Sequence, residues 1–244
     1  MKVLLLAGTA EARELSHRLD GLADLDVVVS LAGRTSTVAD HGGSVRVGGF
    51  HGVDGLASHL VDEGFDAIVD ATHPFAETMS SHAATAAERV GIPRLRFERP
   101  PWRAQAGDRW IEVADVAEAS MALPALGTTR VLLTIGRTGL DAFADIGDVQ
   151  LVVRSIETVD RQRLRSAVFI QARGPFAVSD ELVLLERYYI DTVVTKNSGG
   201  DDSKLVAARE LGIPVVMIKR PLCLQGTTVG KLDDVLRWLR SVDV

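Results

Sequence analysis

The sequence predicts an α/β protein made of two similar parallel-sheet units, and three observations carry that expectation. Short apolar runs alternate with helical patterns along nearly all of the 244 residues. Strands that are apolar on both faces, with helices between them, imply βαβ units and parallel pairing. The segment AARELGIPVVMIKRP at 207–221 repeats AAERVGIPRLRFERP at 86–100, with seven of fifteen positions identical at a constant offset of 207 − 86 = 121. The two halves also open alike, since VLLLAGTAEARE and VLLTIGRTGLDA each give an apolar run, then a Gly and a Thr before a helix.

Taken in order, strands are expected at 3–6, 27–31, 45–47, 67–71 and 94–97, with helices near 10–20, 53–63 and 75–90. The Pro-rich turn RPPWRAQAG then separates the halves. Strands follow near 110–113, 131–135, 149–153, 167–170, 192–195 and 215–218, and a terminal helix covers about 230–241. FDAIVDATHPFA at 65–76 lines up with IDTVVTKNSGG at 190–200, at an offset four residues longer than that of the Gly-Ile-Pro copies. In each copy a strand ends in a polar loop, a helix returns, and Gly-Ile-Pro turns the chain into the next strand. The expected division is therefore 1–98 and 109–244, joined around 98–108. Coincidence around a common helix-to-strand connector is the alternative. If the duplication holds, a large ligand is expected in a cleft between the units, because open parallel sheets bind at the carboxyl ends of their strands.

Composition narrows the function. A chain of this length buries roughly 70 to 75 per cent of its unfolded surface, and 46% apolar with 25% charged residues suits a soluble globular protein. Cys223 is the single cysteine, so no intrachain disulfide is possible and a reducing compartment is expected. The apolar start VLLLAG runs into TAEAREL, far short of a signal or a spanning helix, so a cytoplasmic location without a membrane partner is expected. A formal charge of 27 − 33 = −6 argues against a nucleic-acid partner. No metal site is expected, because the six histidines, at 17, 41, 51, 59, 73 and 82, contain no H-x-x-x-H pair. There is no G-x-S-x-G elbow either.

The chemistry is expected at strand ends. The first strand runs into Gly8 and Thr9 and a helix starting near Ala10, so free N–H groups at the helix start suit a phosphate; a plain strand-to-helix turn would look the same. Past the second strand, where an acid would hold a free ribose 2′-hydroxyl, the chain has SLAGRTST with Arg34 and Ser36. A carboxylate about 4 Å from a phosphate costs on the order of 4 kcal/mol at an effective dielectric near 20, and an arginine reverses the sign. NADPH is the expected cofactor. In DATHPFAE, Asp70 can cap the loop and Pro74 fits a first helical turn, while His73 either donates a proton or hydrogen-bonds the loop.

In the second half TIGRTGL sets Arg137 and Thr138 at a strand end, and FIQARGPFA does the same for Arg173. VVTKNSGGDDSK places Lys196, Asn197, Ser198, Gly199 and Gly200 before a helix near Asp201, with Lys204 one turn in. A glycine nest with two lysines suits an anion, although Asp201 and Asp202 could satisfy the same donors internally. Arg13, Arg99 and Arg103 read as solvated surface charges.

Together LLLAGTAEARELSHRL, DATHPFA, RFERPPW, TIGRTGL, ARGPF and VVTKNSGGDDSKLVAARELGIPVVMIKRP make a set, spread over nearly the whole chain, that resembles the precorrin-6A reductase family of cobalamin biosynthesis. The resemblance implies NADPH-dependent reduction of the precorrin-6A macrocycle to precorrin-6B, by hydride delivery to a ring carbon and protonation of its neighbour. It also implies two Rossmann-like domains with the active site between them. Residues 1–98 would then bind the cofactor through Gly8, Thr9, Ala10, Arg34 and Ser36. Residues 109–244 would bind the anionic tetrapyrrole through Arg137, Thr138, Arg173, Lys196, Asn197, Ser198, Gly199, Gly200 and Lys204. His73 and Lys196 are the candidates for catalytic roles, with water an alternative proton source. Other readings are an NADPH reductase of another anionic small molecule and an NADPH-sensing protein without turnover. A monomer or weak homo-oligomer is expected.

Overall fold

The structure, a computed structural model, describes residues 1–33, 40–159, 164, 166–221 and 226–242. In chain order the first elements are β1 (Lys2–Leu6), α1 (Ala10–Asp20), β2 (Asp26–Leu31), β3 (Ser44–Val47), α2 (Val53–Asp62), β4 (Ala67–Asp70), α3 (Glu77–Val90) and β5 (Arg94–Phe97). Then come β6 (Trp110–Val113), α4 (Val116–Ala122), β7 (Arg130–Thr134), β8 (Gln150–Ser155), β9 (Val168–Gln171), α5 (Val178–Arg187), β10 (Thr192–Lys196), α6 (Ser203–Glu210) and β11 (Val215–Ile218). The chain closes with β12 (Thr227–Val229) and α7 (Leu232–Arg240).

Two six-stranded sheets result, ordered β12-β5-β4-β1-β2-β3 and β6-β11-β10-β7-β8-β9. All their pairings are parallel. Numbered within its own unit, the first sheet has the order 3-2-1-4-5-6 of the dinucleotide-binding fold, and the second has the same spatial order counted from β7, with β6, the first strand of its unit, in the sixth place. The expected pair of Rossmann-like units is therefore present. Strand β1 explains why pairing is parallel: Val3 and Leu5 face one core with α1 and α7, while Leu4 and Leu6 face another with α2 and α3. A strand apolar on both faces needs helices on both sides, which βαβ crossovers supply.

The repeat read from the sequence is a structural repeat. Gly91 and Gly212 take φ of 81° and 65° after α3 and α6. Ile92 N–H donates to Ala87 O at 3.1 Å, and Ile213 N–H to Ala208 O at 2.8 Å, the six-to-one bond of a glycine-terminated helix. Asp66 and Asp191, also aligned, accept from the N–H of the neighbouring strand's residue, Lys2 at 2.6 Å and Arg130 at 3.1 Å.

The expected boundary differs from the structure at the C-terminus. The compact units are Met1–Pro100 with Pro221–Val244, and Pro101–Arg220. After each Gly-Ile-Pro strand the next strand joins the other sheet: β6 pairs with β11, and β12 pairs with β5. The exchange is register-matched, because Glu98 N–H donates to Val229 O and Lys219 N–H donates to Val113 O, both at 2.9 Å. Residues beyond 221 thus complete the first sheet, not the second. Strand β12, only three residues of TTV, was not expected, and α3 begins at Glu77 because Pro74 sits in a turn closed by Ala76 N–H to His73 O at 2.7 Å.

Candidate active site

In the first unit the order reverses between β1 and β4, and the crevice at that switch point is where such sheets bind ligands. Gly8 leaves β1 with φ of 154°, and a Cβ there would meet nothing within 4 Å, so the loop opens onto space. Thr9 is the N-cap of α1 and accepts from Ala12 N–H at 3.0 Å. Its hydroxyl donates to Ala71 O at 3.4 Å, which ties the β1 loop to the β4 loop. Gly8, Thr9, Ala10 and the 71–73 stretch are thereby brought together. These residues fit a dinucleotide, because the first N–H groups of α1 have no intrahelical partner and form the positive end of the helix dipole. Arg34 and Ser36 lie outside the described residues.

Asp70 ends β4 fully buried, at 0% exposure. Its Oδ2 receives Arg94 Nη2 at 2.9 Å and Arg96 Nη1 at 2.8 Å, and its Oδ1 receives Thr72 N–H at 3.2 Å and Thr72 Oγ1 at 2.8 Å. Arg96 also bonds Ser80 on α3 and, through Nε, Glu98 at 3.0 Å. Burial alone would raise the Asp70 pKa, but the two guanidinium groups and their hydrogen bonds outweigh it and hold the carboxyl below its ordinary value. Asp70 caps the loop as expected. His73 Nδ1 accepts from Phe75 N–H at 3.2 Å, so the ring holds the loop and its hydrogen sits on Nε2. The loop bond expected of His73 is formed.

Arg99 corrects an expectation. It is no solvated surface charge: its Nη1 donates to both carboxylate oxygens of Glu11, at 2.8 and 2.7 Å. Burial would raise the Glu11 pKa, yet the bond to Arg99 and further hydrogen bonds lower it.

In the second unit Arg137 and Thr138 follow β7 and are exposed, Arg173 is exposed after β9, and Lys196 is the last residue of β10, with Asn197 to Gly200 following it. All sit at carboxyl ends of one sheet. Phe176 N–H donates to Asp201 Oδ2 at 3.4 Å, which brings the 173–176 loop beside the 198–201 turn. Asp201 also accepts from Ser203 N–H at 2.9 Å, so the acid does satisfy a helix-start donor internally. Lys196 is half-buried, and that burial lowers its pKa.

Two expected anion ligands have structural partners. Asn197 Oδ1 accepts from Trp102 N–H at 2.8 Å and its Nδ2 donates to Trp102 O at 3.1 Å, while Lys204 Nζ stands 4.5 Å from the Trp102 ring centroid. The indole donates to Gly200 O at 2.9 Å. Trp102 therefore organises this turn, a role the sequence reading gave to no residue of RPPW. Arg94 and Arg96 were also missed. Their signal was legible, since two arginines two apart on a strand expected to be buried are anomalous.

Among the described residues no group of three His, Cys, Asp or Glu could hold a metal, and no helix is long and apolar enough to cross a membrane.

Fold and loops together define a class, a two-unit Rossmann-type α/β protein whose polar loops gather at the carboxyl ends of two parallel sheets. Within that class the match is specific: residues 2–240 fit the family described as precorrin-6x reductase CbiJ/CobK, and the chain belongs to that family. A precorrin-6A reductase of Rhodococcus erythropolis is 46% identical over 99% of this chain and 98% of its own length. One of Mycobacterium tuberculosis is 45% identical over 97% of this chain and 95% of its own length. A cobalt-precorrin-6A reductase of Priestia megaterium is 32% identical over 97% of both. The solved structure of a CobK precorrin-6A reductase superposes with a TM-score of 0.94 at 39% identity, covering 100% of this chain and 98% of that one.

Proposed function

We propose that this chain reduces precorrin-6A with NADPH as the electron donor. The observation that carries the reading is the 46% identity, end to end, with a relative of that name. The higher identity to relatives named for the metal-free substrate than to the cobalt-precorrin relative, 46% against 32%, favours the metal-free macrocycle.

NADPH, when bound, supplies the hydride. The chain's residues bind and orient. Gly8, Thr9 and Ala10 hold the diphosphate at the start of α1, and Arg34 with Ser36 receives the 2′-phosphate. The Ala71–His73 stretch, tied to Thr9 and Leu6, would border the nicotinamide. Arg137, Arg173, Lys196 and the Ser198–Gly200 turn receive the carboxylates of the macrocycle, and Lys204 adds charge while it rests on Trp102. Asn197 acts through Trp102 and not on the substrate. Lys196 donates the proton, because an ammonium whose pKa is lowered by burial is a stronger acid than an exposed one.

The test is NADPH oxidation followed with and without precorrin-6A, with the product identified as the macrocycle reduced by two electrons. Loss of NADPH that depends on the substrate is expected. Binding of NADPH without turnover would instead support a sensor, and turnover only with another anionic acceptor would move the substrate assignment.

A further inference from the structure

The two units occupy equivalent positions with opposite chemistry. Asp70 pairs in register with Arg96 across β4 and β5, and Ile68 pairs with Arg94. In the second unit Thr195 pairs with Met217, and Val193 with Val215, across β10 and β11. The sequence offsets agree, since Asp70 aligns with Thr195 (70 + 125 = 195), Arg94 with Val215 (94 + 121 = 215) and Arg96 with Met217 (96 + 121 = 217). At these positions the first unit buries Asp70 at 0% and Arg96 at 1% exposure, while the second buries Thr195 at 1%, Val215 at 2% and Met217 at 0%. One frame closes around an ion cluster and the other around a hydroxyl and apolar side chains.

The fold therefore does not require the charges. Buried ion pairs are weak contributors to stability, and well-packed apolar replacements are often neutral or better. What the cluster does do is fix a loop. Asp70, Arg96, Thr72 and Ser80 join β4, the loop after it, β5 and α3 through one connected set of hydrogen bonds. Ala71 N–H donates to Leu6 O at 2.9 Å and Thr9 Oγ1 to Ala71 O, so the loop so fixed is the one at the switch point.

We infer that the Asp70–Arg96–Thr72–Ser80 cluster is a positioning device for the nicotinamide end of the dinucleotide, holding the Ala71–His73 stretch at the height the nicotinamide ring needs. The inference rests on the proposed NADPH reading and deepens it. Thr72 and Asp70 are positioning residues, acting through the loop backbone.

The experiment compares two ligands, NADPH and adenosine 2′,5′-bisphosphate, which lacks the nicotinamide half, on Thr72→Val, Thr72→Ser and the transplant Asp70→Thr with Arg94→Val and Arg96→Met. Thr72→Val removes the hydroxyl that bonds Asp70 and is expected to weaken NADPH roughly tenfold, with adenosine 2′,5′-bisphosphate unchanged within about twofold. Thr72→Ser keeps the hydroxyl and is expected to bind both as the parent does. The transplant is expected to show the same split as Thr72→Val. Equal weakening of both ligands in a folded variant, or no weakening of either, overturns the inference, and so does a Thr72→Ser variant with the Val defect. If Thr72→Val or the transplant does not fold, Ser80→Ala, which removes one bond to Arg96, is read with the same pair and must show the same split in smaller degree. A parent protein that binds the bisphosphate but not NADPH more tightly overturns the inference alone; a parent that binds neither overturns the NADPH reading with it.

Discussion

The loop after β4 and the loop after β10 start from the same strand position and are held by different means. The first is pinned from below, by a buried carboxylate and two arginines under Thr72. The second is pinned from the side, by Asn197 clasping the backbone of Trp102 and the Trp102 indole bonding Gly200. The contrast follows from what each loop is proposed to meet. A flat, neutral nicotinamide needs a floor at a fixed height, whereas a macrocycle with many carboxylates needs cations at a strand end.

The comparison can be broken or sharpened by five measurements. The largest effect is expected from ending the chain after Arg220. This removes β12 from the edge of β5 and takes Val235 and Leu239 from the first core. Burial of each such side chain is worth about 1.5 to 3 kcal/mol, so the first unit is expected to lose its amide protection while the second keeps it. Equal loss in both would show that the units fold as one. Next, Asp70→Ala takes the shared carboxylate from buried Arg94 and Arg96, leaving Arg96 its bond to Glu98, and is expected to cost about 3 to 5 kcal/mol in urea unfolding. Thr195→Ala, at the matched position, is expected to cost about 1 kcal/mol, the net worth of one hydrogen bond. Similar costs would erase the distinction between the two loops.

Arg34→Glu acts on the cofactor side alone. It is expected to weaken NADPH by on the order of 4 kcal/mol while NADH is little changed, and equal affinity of the parent for both nucleotides would contradict the assignment. Lys196→Met is expected to lower kcat about a hundredfold with NADPH affinity retained. In the parent, activity that needs the Lys196 ammonium is present at low pH and is lost as pH rises through its folded pKa. Burial lowers that pKa, so the descending limb should fall below the ordinary lysine value of about 10.4. A limb that persists in Lys196→Met would assign the proton elsewhere. The smallest effect is expected from Asn197→Ala, about 1 to 2 kcal/mol of stability for two hydrogen bonds to Trp102, with a loss in kcat smaller than that of Lys196→Met. An activity loss as large as that of Lys196→Met would return Asn197 to the substrate.

Sequence patterning was sufficient wherever the signal is local. Eleven runs read as strands match β1 to β11, because a buried parallel strand must be apolar along its length. The Gly-Ile-Pro copies could be trusted because a left-handed glycine after a helix has few substitutes. The positions of Gly8 and Thr9 after β1 and of Lys196 at the end of β10 were legible because a strand end is also a local signal. Arg99 was misread, since a charge next to Pro100 looks like surface until Glu11, 88 residues away, is placed against it.

What the sequence by itself determined is that the chain builds one kind of α/β layer twice, with polar turns at corresponding strand ends, because periodicity and turn chemistry act over a few residues. What only the tertiary structure decided is which sheet receives the sixth strand, which charges neutralise each other, and which of the polar turn residues already have work to do. Strand exchange changes no local pattern, and Asp70, Arg94 and Arg96 or Asn197 and Trp102 meet only through hydrogen bonds that close once distant segments are brought to the same end of a sheet.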